Sequence, residues 1–461
     1  MGRVSAAQRV SFLNKPHYLK NQFMKSMKKL LLLALVGTQA AMYGQSILTA
    51  WNINTTGATA SYWENANGNP TNPSFVFHTL TDSADVQRVC YTTDSVYVKA
   101  TGTTDSMGQF LNPGGCSAQT FVYCFPRNPA VATTKSSAPA SFAIGSLLNG
   151  VPIFGRGAGT SWGGSGNING GPQVWNTEVY KAEGFVLDNS FGAHPQQQGM
   201  YHTHATPFRY YEDVPTNVHS PLVGFAFDGY PIYGPYGYSS AMNASSGVTR
   251  MKTGYSLRNI TVRTTLPDGS TASQSGPPVN TTYPIGTYCE DYEWLAANGG
   301  DLDQYNGRFC VTPEYPGGIY AYFVTQDAAG TPQYPYYIGP QYYGKLAPGN
   351  VNGGCTSRTW PTSGLTCYSP TGIFSLESGK HFVVFPNPNT GQFTIQLNTY
   401  FATANTTVNV YNTLGQVVYS QPASETFEIS LDRTSIQSGI YFVHLVNASG
   451  KTSEVQKIVV Q

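Results

Sequence analysis

Residues 382–397 read FVVFPNPNTGQFTIQL and residues 407–420 read TVNVYNTLGQVVYS. In both, apolar and polar residues alternate on either side of an Asn, Pro or Gly turn, which is the period of a strand with one face buried. The pattern continues through FEISLDRTSIQSGIYFVHLV (427–446) and VQKIVVQ (455–461). Six or seven such strands within residues 378–461 predict a small Ig-like β-sandwich with a core of its own.

The rest of the chain reads as β too, but with shorter strands and longer turns. Residues 46–140 carry runs such as FVFHTL (75–80) and SVYVKATG (95–102), separated by Asn, Gly and Pro. Residues 141–345 form a loop-rich β central domain, glycine-rich at RGAGTSWGGSGNINGG (156–171), with one short helical stretch inside VWNTEVYKAEGFVLD (174–188). A Gly, Ser and Thr segment at 346–377 reads as a linker. The fold class is therefore mainly β.

Composition supports that class and removes one function. Of 461 residues only 11% are charged, against 49 Gly, 30 Pro, 32 Tyr and 23 Phe, and the net charge is +1. Without a basic field, nucleic acid has no electrostatic footing. Met27-Lys28-Lys29 ahead of LLLLALVGTQAAMYG (30–44) has the basic, apolar and small-residue order of a secretory signal peptide, with its apolar region at about 30–41. Residues 1–45 are accordingly expected to be leader and signal peptide, with Met24 or Met27 the start, and the mature chain to contain no transmembrane helix.

Export makes disulfides the expected fate of the seven cysteines. Local spacing suggests Cys289 with Cys310 and Cys355 with Cys367. Cys116 could pair with Cys124 and leave Cys90 free, or Cys90 could take Cys124.

Half of the eight histidines fall between His194 and His219, in FGAHPQQQGMYHTHATP (191–207) and VHSPLVGFAFDGYPIYGPYGY (218–238). In an extended His202-Thr203-His204 the two imidazoles share a face at about 6.5–7 Å between Cα atoms. Rings at that spacing can lean onto one cation through bonds of about 2.0–2.1 Å. His194 and His219 would supply the third and fourth ligands of a zinc or copper site. The competing readings are a set of packed histidines without metal and, behind it, acid–base chemistry by histidines without metal. Asp228, in the apolar run FAFDGYPIYG, either orients a histidine through its second ring nitrogen or shapes an Asp-Gly turn, and Tyr201 is a further supporting candidate.

Calcium finds less support. Glu290, Asp291, Glu293, Asp301 and Asp303 are clustered, but a loop begun at Asp301 places Tyr305, Asn306 and Thr312 where an acidic ligand, a glycine and a glutamate belong. No GxSxG elbow, HExxH, phosphate-binding loop or paired CxxC occurs.

Two resemblances follow from these motifs. Phe385-Pro386-Asn387-Pro388 with Gly391, VNVYNTLGQVV, Ser438-Gly439-Ile440-Tyr441 and the final KIVV resemble the type A C-terminal sorting domain of the type IX secretion system of Bacteroidota. That resemblance implies recognition by the outer-membrane export machinery and delivery, through the periplasm, to the cell surface or beyond. NGVPIFG (149–155), the Tyr201-His202-Thr203-His204 core, HSPLVGFAFDGYPIYGPYGY, SLRNITVRTTLPDG (256–269) and YPYYIGPQYYG (334–344) resemble the YHYH-domain family, with Thr203 in the third place of the tetrad. The family brings a domain and no reaction. The expectation is an exported surface protein with a histidine metal site; the alternative is a structural or adhesive module, its tyrosines stacking on glycans.

Overall fold

In the computed structural model, residues 46–350 and 357–368 are described, together with 382–385, 389, 391–397, 406–423, 426–432, 436–446 and 455–460. The expected leader and signal peptide at 1–45 and Cys355 lie outside these residues. As expected, the architecture is mainly β.

An antiparallel N-terminal sheet runs in the order Thr366–Tyr368, Val86–Tyr91, Ser95–Ala100, Phe121–Pro126. Val89 and Val98 pair across it, Val98 in turn pairs with Tyr123, and all three are buried. Its outer strand comes from the stretch read as a linker. Because Cys367 lies directly opposite Cys90 in that register, the two form a disulfide across 277 residues. The expected Cys355–Cys367 bond is therefore not formed. Cys116, Cys124, Cys289 and Cys310 are buried free thiols, which corrects the other local pairings as well.

The central sheet has eight strands: β1 (Ala143–Leu147), β2 (Pro152–Phe154), β3 (Ala193–Pro195), β4 (Tyr201–Thr203), β5 (Leu222–Ala226), β6 (Pro231–Tyr233), β7 (Gly307–Cys310) and β8 (Ile319–Phe323). They lie in the order β3-β4-β2-β1-β5-β6-β8-β7. Both β5 and β8 are buried at every position, as their unbroken runs LVGFA and IYAYF require of strands covered on both faces. Phe225 and Phe227 meet Trp51 and Phe125 of the N-terminal region at ring separations of 5.4 and 5.5 Å, so one core spans both sheets.

Residues 382–460 form two further sheets of three and four strands. Val408 and Val410, Tyr441, Val443 and Leu445, and Ile458 and Val460 all point into a shared core with Phe393 and Ile395. Period-two alternation places every second side chain there, each fully buried aliphatic contributing about 1.5–3 kcal/mol.

Candidate metal centre

The site begins as a hairpin. Strands β3 and β4 pair antiparallel with His194 directly opposite His202, so both side chains leave the same face, and His204, two residues on, joins them. The connecting turn closes with Gly199 N–H donating to Gln196 O, and both Gln198 and Gly199 adopt left-handed backbone at φ 69° and 71°. A Cβ on Gly199 would sit 2.7 Å from Ser117 N, so only glycine fits there.

Backbone carbonyls fix the rings. His202 Nδ1 lies 3.0 Å from Met200 O and His204 Nδ1 lies 3.0 Å from Gly155 O. A carbonyl only accepts, so each Nδ1 carries the proton and each neutral Nε2 presents a lone pair. Those two Nε2 atoms are nevertheless 2.9 Å apart. Phe154 packs on both rings, at 4.2 Å from the His202 centroid and 5.8 Å from that of His204. Gly155 is also a close approach, since a Cβ there would meet Pro139 O at 2.1 Å.

His194 completes a triad in which one ligand atom of each residue lies within 4.8 Å of the others. Both of its ring nitrogens are buried without a hydrogen-bond partner. Burial, reinforced by the neighbouring imidazoles, holds the His202 ring well below the ordinary histidine range, and burial followed by His194 brings His204 down to about 3. At neutral pH these two rings are uncharged, which is the state a metal ligand requires.

A fourth group arrives from a residue that sequence reasoning missed. Glu183 ends the short helix Val179–Glu183, and its Oε2 lies 3.2 Å from His194 Nε2 and 3.6 Å from His204 Nε2. The helix is seated by Glu178, a buried N-cap whose carboxylate accepts from Tyr180 N (3.0 Å), Lys181 N (2.8 Å) and the Tyr336 hydroxyl. Nothing in the local text KAEGF distinguishes Glu183 from a solvated helix-end glutamate.

His219 does not join the triad. Its Nδ1 donates to Ser220 O at 2.8 Å and its ring packs among Tyr233, Tyr238 and Phe323 at 4.8–6.1 Å. It leads into β5, which β2 and β1 separate from β4, and three strand spacings amount to about 14 Å. Tyr201 points to the opposite face of β4 from His202 and donates to Asp188, which also accepts from Ser190 N and Phe191 N. Asp228 shapes its turn, accepting from Tyr322 Oη (2.7 Å), Gly344 N (2.8 Å) and Tyr230 N (3.3 Å). Neither residue's hydrogen bonds reach a histidine of the triad; the carbonyls of Met200 and Gly155 hold the rings.

The acidic segment disperses. Glu290 accepts from Asn176, Asp291 pairs with buried Arg263 at 2.7 Å, Asp301 accepts from Lys252 N, and Asp303 accepts from Tyr305 N and the Tyr320 hydroxyl. Four of the five carboxylates therefore serve separate protein partners.

Comparison with known proteins matches residues 122–335 to the family described as YHYH protein and residues 383–461 to the secretion system C-terminal sorting domain. No curated protein matches the chain. Among solved structures, a DUF3244 family protein from Bacteroides vulgatus with an immunoglobulin-like β-sandwich fold is similar at 13% identity, covering 18% of this chain and 88% of that one, with a TM-score of 0.15. PorZ of Porphyromonas gingivalis, a surface component of the type IX secretion system, is similar at 12% identity over 84% of this chain and 40% of its own, with a TM-score of 0.16. No helix among the described residues is long and apolar enough to cross a membrane. The sorting domain marks an exported protein, secreted or held at the cell surface, that engages the type IX machinery. The chain is thus a YHYH-domain protein with a C-terminal type IX sorting domain.

Proposed function

We propose that this exported protein binds a divalent first-row transition ion, zinc or copper, through His194, His202 and His204. One observation carries the reading: the Nε2 atoms of His202 and His204 face each other at 2.9 Å while both Nδ1 protons are committed to carbonyls. Two lone pairs at that distance repel unless a cation lies between them. A shared proton is a poor substitute, because burial disfavours the imidazolium at both rings. Around an ion with bonds of about 2.05 Å, neighbouring tetrahedral ligand atoms lie about 3.3 Å apart, against 2.9 Å between the Nε2 atoms of His202 and His204, with the His194 ligand atom within 4.8 Å of both.

The finer route of delivery is part of the same proposal. Residues 27–44 would direct the chain to the periplasm, and residues 383–461 would then present it to the outer-membrane machinery.

The test is elemental analysis of the purified full chain after dialysis against micromolar zinc and, separately, copper. One equivalent of metal is expected in the wild type and none in the His202→Ala, His204→Ala double variant, while His219→Ala keeps its metal. A wild type without stoichiometric metal, or a double variant that retains it, overturns the assignment.

A further inference from the structure

We infer that Glu183 is the solvent-side fourth ligand of this ion and the exchangeable one, so that a small carboxylate or other oxygen anion can take its place. The inference rests on the histidine site proposed above and adds to it the ligand the site admits.

The four groups are held very differently. His202 and His204 are each pinned by a carbonyl and by Phe154, and their side chains are almost wholly enclosed. The His204 and His194 side chains are 3% and 10% exposed, against 28% for Glu183. Glu183 therefore stands at the mouth of the site with the imidazoles behind it. Its carboxylate has no hydrogen-bond donor among the described residues; its close neighbours are His194 and His204.

The contact with His194 has the character of two ligands sharing an ion. The 3.2 Å separation between His194 Nε2 and Glu183 Oε2 is not a hydrogen bond in geometry, since His194 Nε2 has no such partner. The 3.2 Å between this ring nitrogen and the carboxylate oxygen, outside hydrogen-bond geometry, lies close to the roughly 3.3 Å edge of a tetrahedral coordination sphere. The remaining distance, 3.6 Å to His204 Nε2, falls just outside that edge.

The helix explains how this ligand can leave. Its N-terminus is anchored through Glu178, but Glu183 is its last residue and reaches the site on its own flexible side chain. Rotation of that side chain toward solvent opens one coordination position without moving the hairpin that carries the histidines. The opened position faces water, and three imidazole ligands bring no negative charge, so a dipositive ion bound by them keeps an unbalanced charge there. An oxygen anion small enough to replace one carboxylate meets that charge; a bulky ligand meets the rim of the site.

Cobalt(II) reports this directly, because its visible absorption depends on coordination number and geometry. The full-length protein is titrated with cobalt chloride, as wild type and as Glu183→Ala and Glu183→Gln, each checked for an unchanged thermal transition. The wild type should give the intense visible band of a four-coordinate ion. Glu183→Ala should bind cobalt at least about tenfold more weakly, with a weaker, shifted band. Acetate, added to the alanine variant as a stand-in for the missing carboxylate, should restore band and affinity. If the wild type takes up no cobalt, zinc or copper, the histidine site and this inference fall together. If it binds cobalt but both variants match it in spectrum and affinity and ignore acetate, the histidine site stands and the role of Glu183 is overturned.

Discussion

Reducing the Cys90–Cys367 bond should loosen the body of the protein and spare its C-terminal domain. The bond joins residues 277 apart, holding the strand Thr366–Tyr368 against Val86–Tyr91 at the edge of the N-terminal sheet. In the chain-entropy treatment a closed loop of that length removes roughly 5–6 kcal/mol of freedom from the unfolded chain, while loss of native disulfides costs about 2–5 kcal/mol in practice. For a unit of roughly 320 residues, with about 2.1 cal/mol/K of unfolding entropy per residue, each kcal/mol moves Tm by about 1.5 °C, so a fall of roughly 3–8 °C is expected. Residues 382–460 have their own core and contain no cysteine, so their transition should not move. Differential scanning calorimetry of the full chain, with and without reductant and as the Cys90→Ala, Cys367→Ala double variant, measures both. Transitions unchanged by either treatment would refute the reasoning, as would non-reducing peptide maps that join Cys289 to Cys310 or Cys355 to Cys367.

Three other outcomes follow from particular residues. Burial lowers His219 to about 4 from an unfolded value near 6.5, so its contribution is full above pH 6.5 and is lost as pH falls toward 4. Unfolding free energies from urea titrations across that window should decline less in His219→Phe than in wild type, by up to about 3 kcal/mol, and parallel curves would remove His219 from the acid limb. Asp291→Ala leaves the Arg263 guanidinium buried and uncompensated, which should cost about 3–5 kcal/mol in urea unfolding; a loss below 1 kcal/mol would mean the cation finds another partner. Deleting residues 383–461 should leave the chain inside the envelope of its host, read by protease accessibility of intact cells, and normal surface exposure would contradict the sorting assignment.

Local pattern determined much of this protein. The alternation in 407–411 and 439–446 already assigns Val408, Val410, Val443 and Leu445 to one face, because side-chain direction in a strand depends only on position along it. The same rule put His202 and His204 side by side, and the terminal motifs identified the sorting domain before any contact was known. What the sequence could not carry is distance between segments. His194 entered the site and His219 did not, although both flank the same pair, because the strand order interposes β2 and β1 between β4 and β5. Cys367 found Cys90 across 277 residues and not its near neighbour Cys355, because an edge strand from the presumed linker pairs with the N-terminal sheet. Glu183 became part of the site through a helix seated by Glu178 on Tyr336, far along the chain. Strand periodicity is a property of consecutive residues and survives in one dimension, whereas ligand convergence and cross-strand pairing depend on which distant segments share a surface, and only packing in three dimensions decides that.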